Sequence, residues 1–153
     1  MKFFVWELGM QITISKVSSP ADMQKCFDIR LKVFVEGQKV PLAEEMDGKD
    51  GQSEHYLLLV DEQPVGTARV RFIDDYAKIE RVAIMDDYQG MGYGKVVMNR
   101  IMLDLKKHNG IKKAKLSSQT YAIPFYEKLG FIICSDEYMD ASIPHKDMNF
   151  NLK

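Results

Sequence analysis

"VAIMDDYQGMGYGKVVMNRIM", residues 82–102, runs from an apolar segment through Gly90, Gly92 and Gly94 into a regularly spaced apolar stretch. The first residues, preceded by Arg81, read as a strand, and Val97, Met98, Ile101, Met102 and Leu105 recur at helical spacing. Gln89 to Gly94 is therefore the turn between a strand and a helix. The first turn of a helix has N–H groups without partners, and the helix dipole adds partial positive charge there. Glycines let those groups approach a ligand closely, so an anionic phosphate fits. Three loop chemistries compete. A P-loop needs Ser or Thr after the lysine, but Val96 follows Lys95. A dinucleotide fold needs G-x-G-x-x-G early in a parallel unit, and here the spacing is G-x-G-x-G. The third is Q-x-x-G-x-G, supplied by Gln89, Gly92 and Gly94.

Upstream, "QITISKV" (11–17) alternates as a strand does. "SSPADMQKCFDIRLKVFVEGQ" opens with capping residues and a proline, and Met23, Phe27, Leu31 and Phe34 set a helix beginning near Ala21. "VPLAEEMDGKDGQSE" reads as a polar, acidic loop. Residues 55–85 hold three strand-like runs joined by acidic turns, a meander. Beyond the glycine turn, the helix stops near Asn109-Gly110. "KKAKLSSQ" returns as a strand, "AIPFYEKLG" as a short helix, and residues 131–152 as the last strands. The order predicts an α/β chain with a mixed sheet.

Composition narrows the classes. At 153 residues the chain is expected to form one domain, 1–153, with 46% hydrophobic and 28% charged residues. A net charge of -1 gives no global attraction to nucleic acid or an anionic membrane. The run Lys106, Lys107, Lys112, Lys113 and Lys115 lacks aromatic interleaving and reads as a solvated face. Cys26 and Cys134 are too few for a disulfide framework and read as buried packing residues in a reduced setting. Glu7 interrupts the apolar start "MKFFVWELGM", so a signal peptide is not expected, and no stretch is long enough to span a bilayer. The expectation is a soluble, cytoplasmic protein, monomer or homodimer.

The segment quoted above, followed about 30 residues later by "AIPFYEKLGF", resembles the acyl-CoA-binding core of the GNAT N-acetyltransferases. The tail "YMDASIPHKDM" and the front segment "IRLKVFVEGQKVPLAEEMDGKD" are similar to the small bacterial ElaA/YjcF-type branch. The resemblance implies an acyl-CoA N-acyltransferase fold: a mixed central sheet splayed at the CoA-binding strand, with helices on both faces. It also implies acetyl-CoA as co-substrate and a small-molecule or peptide amine as acceptor. Gln89, Gly90, Met91, Gly92, Tyr93, Gly94 and Lys95 would hold the pyrophosphate through their backbone N–H groups. Backbone groups of Val82, Ala83 and Ile84 would pair with the pantetheine arm. Tyr126 matches the tyrosine that protonates the departing thiolate, and Gln119 stands where many members carry a cofactor-contacting asparagine.

The implied reaction is attack of a neutral amine on a thioester. A lysine-like amine has a pKa of about 10.4, leaving roughly one in a thousand neutral at pH 7. A general base removes that handicap, typically by about 10²–10⁴-fold. Glu80 is the first candidate, because strand alternation would put it on one face with Val82 and Ile84. Its alternative is a solvated partner of Lys78 or Arg81. His145, in "PHKDM", and His55 are further candidates for relaying a proton. Glu44, Glu45, Asp47 and Asp50 form an acidic cluster that either draws a cationic amine or is merely solvated. No spacing suggests a metal site. The alternatives to an enzyme are an acyl-CoA-binding module that does not transfer, and a nucleotide-phosphate binder unrelated to CoA.

Overall fold

The computed structural model describes residues 2–7 and 9–153, the first strand by its backbone. Strands β1 (Phe3–Glu7), β2 (Met10–Lys16), β3 (Glu54–Val60), β4 (Gln63–Ile73) and β5 (Tyr76–Ile84) follow one another antiparallel across the sheet. β6 (Lys113–Gln119) joins β5 in parallel, and β9 (Ile143–Asn151) covers the other edge of β6 antiparallel. Two short strands, β7 (Ile132–Ile133) and β8 (Tyr138–Asp140), pair with β9. The expected meander is thus β3 to β5, with Asp61-Glu62 and Asp74 taking positive φ at its turns. The strand β1 falls in the apolar start, to which the sequence pattern assigned no element.

Helices cover both faces. On one side, α3 (Tyr93–Lys106) presses Val97, Met98, Ile101 and Leu105 onto Ile12, Leu58, Val70, Ile79 and Leu116, all buried. Removing a side chain of this size from water contributes roughly 1.5–3 kcal/mol. The short α4 (Ile123–Lys128) packs Ile123 and Tyr126 onto the same core. On the other side lies α1 (Pro20–Arg30), capped by the Ser19 side chain, which accepts from the Asp22 N–H. It buries Cys26 and Ile29 against Leu57 and Ala83. The Met23–Phe27–Leu31–Phe34 stripe is only the margin of the buried face: Met23 and Phe34 pack half-buried against it and Leu31 is exposed, while Cys26, Ile29, Arg30 and Val33 are buried. One cause is that α1 continues as a π-helical segment, Leu31–Gly37, whose wider turn breaks the 3.6-residue period. Cys134 is exposed, against the expectation that both cysteines pack inside.

Two irregularities shape the centre of the sheet. β5 and β6 pair only from Tyr76–Lys113 to Ile79–Leu116, whereas β6 stays paired with β9 as far as Gln119–His145. Beyond Ile79 the sheet therefore splits. In β5 itself a bulge inserts one residue: Thr67 and Arg69 stand opposite Ala83 and Glu80, with Arg81 at φ 55. A bulge reverses which residues face which side. Ala77 and Ile79 belong to the α3-side core before it, and Val82 and Ile84 pack against that core after it. Glu80 consequently shares the α1 side with Ala83. The expectation that Glu80, Val82 and Ile84 lie on one face is corrected by that inserted residue.

Candidate active site

The split between β5 and β6 opens into a cavity of about 310 Å3. Val82, Ala83 and Ile84 form one wall and Ser117, Ser118 and Gln119 the other. The β5 edge facing the gap carries no paired strand beyond Ile79, so it can offer backbone groups to a strand-like ligand, the Ile84 carbonyl being already bonded by Gln89. Of the residues singled out in the sequence, Glu80, Val82, Ala83, Ile84, Gln89, Gln119, Tyr126 and His145 all line this one cavity.

The glycine turn stands at the end of β5. Gly90 and Gly92 take φ 77 and 88, and at both positions the space where a side chain would start is open. α3 begins at Tyr93, so Gly94 and Lys95 lie in its first turn. A helix start has first-turn N–H groups without intrahelical partners, and here two glycines stand just before it, an arrangement suited to an anion. Gly94 is needed for packing: a Cβ there would lie 3.2 Å from Phe125 Cζ. Tyr93 contributes only backbone to the turn, since its side chain is buried in the core. The Gln89 side chain donates to the Ile84 carbonyl (3.0 Å) and to Asp86 Oδ1 (3.2 Å), closing the turn on itself. Met91 and Lys95 are exposed.

On the α1 side, four arginines meet four carboxylates. Arg30 donates to Glu45 (2.6 Å) and Asp50 (2.7 Å). Arg69, wholly buried, reaches Asp47 (2.8 Å), Asp50 (3.0 Å) and Glu80 (2.7 Å). Arg71 takes both oxygens of Glu80, and Arg81 pairs with Glu45 and Asp47. The stretch read as a polar loop, solvated or open to an amine, instead includes a short helix, α2 (Leu42–Glu45), and is stitched to the sheet by these pairs. Burial pushes the Glu80 carboxyl up, but hydrogen bonds and charge from Arg71 and Arg69 outweigh it and hold it below its ordinary value. A carboxylate so depressed and doubly bridged is a poor proton acceptor. Glu80 as the general base therefore loses its physical basis. His55 does not line the cavity: its Nε2 donates to the Asp50 carbonyl behind the acidic segment, and burial lowers its pKa.

His145 is better placed. Its Nδ1 lies 2.7 Å from the Ile143 carbonyl, which can only accept, so Nδ1 carries a proton and Nε2 is the nitrogen that holds the lone pair in the neutral ring. No hydrogen bond engages Nε2 among the described residues. Tyr126 approaches from the α3 side, and burial pushes its phenol well above the ordinary range, so it remains a protonated donor. Its hydroxyl has no hydrogen-bond partner among the described residues. Gln119 is paired amide to amide with Gln38, at 2.7 and 3.3 Å, across the gap from β6 to the end of the π-helical segment. Reading the sequence missed this partner, and it missed the arginine lattice. The lattice had one visible signal, Arg69 and Arg71 at alternate positions of an otherwise apolar strand.

A sheet split beside a bulged strand, with a glycine turn and helix start at its end, is the arrangement of an acyl-CoA N-acyltransferase fold. Residues 20–152 match the acetyltransferase (GNAT) domain, and the chain belongs to that family. It is 35% identical over 140 residues to the uncharacterized N-acetyltransferase YjcF of Bacillus subtilis, covering 91% of this chain and 98% of that one. The crystal structure of Escherichia coli ElaA is similar at TM-score 0.81 and 26% identity, over 90% of this chain and 98% of that one. A GNAT family acetyltransferase of Elizabethkingia anophelis, crystallised with acetyl-CoA bound, shares the fold at TM-score 0.73 and 18% identity, over 92% of this chain and 97% of that one.

Proposed function

We propose that the protein transfers an acetyl group from acetyl-CoA to a primary amine by direct attack. The observation that carries this reading is the unpaired β5 edge at the split, leading to the glycine turn and flanked by Tyr126 and His145. The residues fit the donor. N–H groups of the 89–95 turn would hold its pyrophosphate, and backbone groups of Val82, Ala83 and Ile84 would hold the pantetheine arm. Bound there, acetyl-CoA supplies an activated acyl group as a thioester.

His145 Nε2 accepts a proton from the amine, directly or through water, as the N–C bond forms. A backbone N–H of residues 82–84 stabilises the charge that develops on the carbonyl oxygen. Tyr126 gives its proton to sulfur as the C–S bond breaks. Glu80 acts with Arg69 and Arg71 to fix the strand beside the reacting groups. The acceptor is a small molecule or peptide amine, reaching the cavity from the α1 side past Glu44 and Asp140, both exposed carboxylates on its lining. The test is release of free CoA thiol from acetyl-CoA across a panel of primary amines. Tight acetyl-CoA binding with no release for any amine would instead mark an acyl-CoA-binding module.

A further inference from the structure

His145 is presented to the cavity by a hairpin whose own turn is weak. β8 and β9 are joined through Ala141 and Ser142, both at positive φ (50 and 61). That geometry favours Asn-Gly, and neither alanine nor serine adopts it readily. β8 has three residues and pairs Tyr138 directly with His145. Something else must hold the strand in register.

The side chains supply it. The Tyr138 ring lies against His145, centroids 6.0 Å apart and planes within 21°. Its hydroxyl donates to Asp147 Oδ1 at 2.5 Å, and the same oxygen accepts from Ser117 Oγ at 2.8 Å. Ser117 in turn accepts from Lys78 Nζ at 3.0 Å. Tyr138 is thereby tied at its tip to β9 and, through Ser117 and Lys78, to β6 and β5. Burial and the bond to Asp147 push its phenol up to about 12, so the donor persists through neutral pH. Asp147 stays ionised: burial pushes it up, but bonds from Tyr138 and Ser117 and the charge of Lys78 hold it below its ordinary value.

We propose that Tyr138 and Asp147 are positioning residues for His145: Asp147 anchors the Tyr138 hydroxyl, and the anchored ring fixes the imidazole plane so that Nε2 faces the cavity. Two constraints then set the ring. The Ile143 carbonyl fixes its tautomer and Tyr138 fixes its face. Neither positioning residue takes part in proton transfer. The inference rests on the acetyltransferase reading for its kinetic arm only.

The experiment compares the wild type with Tyr138→Phe, Tyr138→Leu, Asp147→Ala and Asp147→Asn, each checked for its melting temperature. Nitrogen-15 spectra of the three histidines, assigned with His145→Gln, report the His145 tautomer and ring environment without any acceptor. Thiol release with an amine from the panel gives kcat and the KM for acetyl-CoA. Tyr138→Phe and Asp147→Ala should displace the His145 signals and lower kcat about ten- to hundredfold with KM for acetyl-CoA unchanged, as misorientation of a reacting group does. Tyr138→Leu should do more. Asp147→Asn, whose amide oxygen still accepts from Tyr138, should recover most of the rate. Unchanged spectra in Tyr138→Phe and Asp147→Ala would overturn the proposal. So would a rate loss that follows melting temperature and KM and is not recovered by Asp147→Asn. If no amine supports turnover, the acetyltransferase reading fails and the spectra alone decide the positioning role.

Discussion

Tyr126 and His145 reach one cavity from opposite faces of the same sheet. Tyr126 packs in the α3-side core, while His145, three residues from the core residue Met148 along an unbroken register, faces the α1 side. In the proposed reaction the split would let Tyr126 and His145 serve as acid and base from opposite sides of the sheet.

Tyr126→Phe tests the acid. Removing the hydroxyl should lower kcat about 10²-fold while acetyl-CoA affinity, read by calorimetry, changes little. Because burial raises the phenol's pKa, the wild type should show no alkaline loss of rate from this group through its ordinary titration range near 10. Equal rates for the two proteins at every pH would remove Tyr126 from the mechanism.

His145→Gln tests the base. Glutamine keeps polarity but cannot take up a proton at neutral pH. We expect about a 10²-fold loss in kcat at pH 7, shrinking for amines of lower pKa, which need less help to lose a proton. A loss independent of amine pKa would point to packing instead.

Arg69→Met addresses the lattice. Arg69 is buried against Asp47, Asp50 and Glu80, and its removal leaves buried negative charge uncompensated. The expected cost is about 3 kcal/mol, the lower end for a broken buried pair because Asp47 and Asp50 keep some water contact. Urea denaturation measures it, and a loss below about 1 kcal/mol would class the pairs with ordinary surface bridges.

The same carboxylates set an acid limit. Asp47, Asp50 and Glu80 are held below their ordinary values, Asp47 chiefly by the Arg69 hydrogen bond and the other two by arginine bonds that outweigh burial. Folded values lower than unfolded ones mean that their stabilisation is complete above about pH 5 and is lost as pH falls through the depressed values. Stability should therefore fall with acid more steeply in the wild type than in Arg69→Met. Parallel curves would show that other groups govern acid unfolding.

Gly92→Ala examines the phosphate turn. At φ 88 a Cβ is strained by about 1–2 kcal/mol. Relief of that strain would move N–H groups out of line. We expect weaker acetyl-CoA binding, seen as a smaller rise in melting temperature at fixed ligand, with a modest effect on the unliganded protein. An unchanged ligand-induced rise would place the pyrophosphate elsewhere.

Most of the framework was legible in the sequence. The strand–glycine–helix stretch 82–102 and "FYEKLGF" carry local signals, and a local signal survives tertiary context. Glu80 was misread because alternation assumes an unbroken strand, and a bulge at an arginine has no turn residue to announce it. The acidic segment was misread because its partners are tens of residues away: Arg69 is 22 positions from Asp47, and Arg81 is 36 from Glu45. Gln38 and Gln119, 81 positions apart, meet only once the chain folds. His145 could be named from its resemblance, but its tautomer comes from a carbonyl two residues back.

The single inserted residue at Arg81 has a consequence for how this chain tolerates change. Upstream of it, Lys78 and Glu80 serve the α1 side; downstream, Val82 and Ile84 serve the other. A deletion at Arg81 itself would remove the bulge and leave both groups on their present sides, at the cost of the Arg81 pairs to Glu45 and Asp47. A deletion elsewhere between Lys78 and Ile84, with the bulge kept, would put charges toward the core or apolar side chains out of it. Length in this strand is therefore constrained everywhere except at the bulge, and a one-residue gap in related sequences should fall at Arg81 and not beside it.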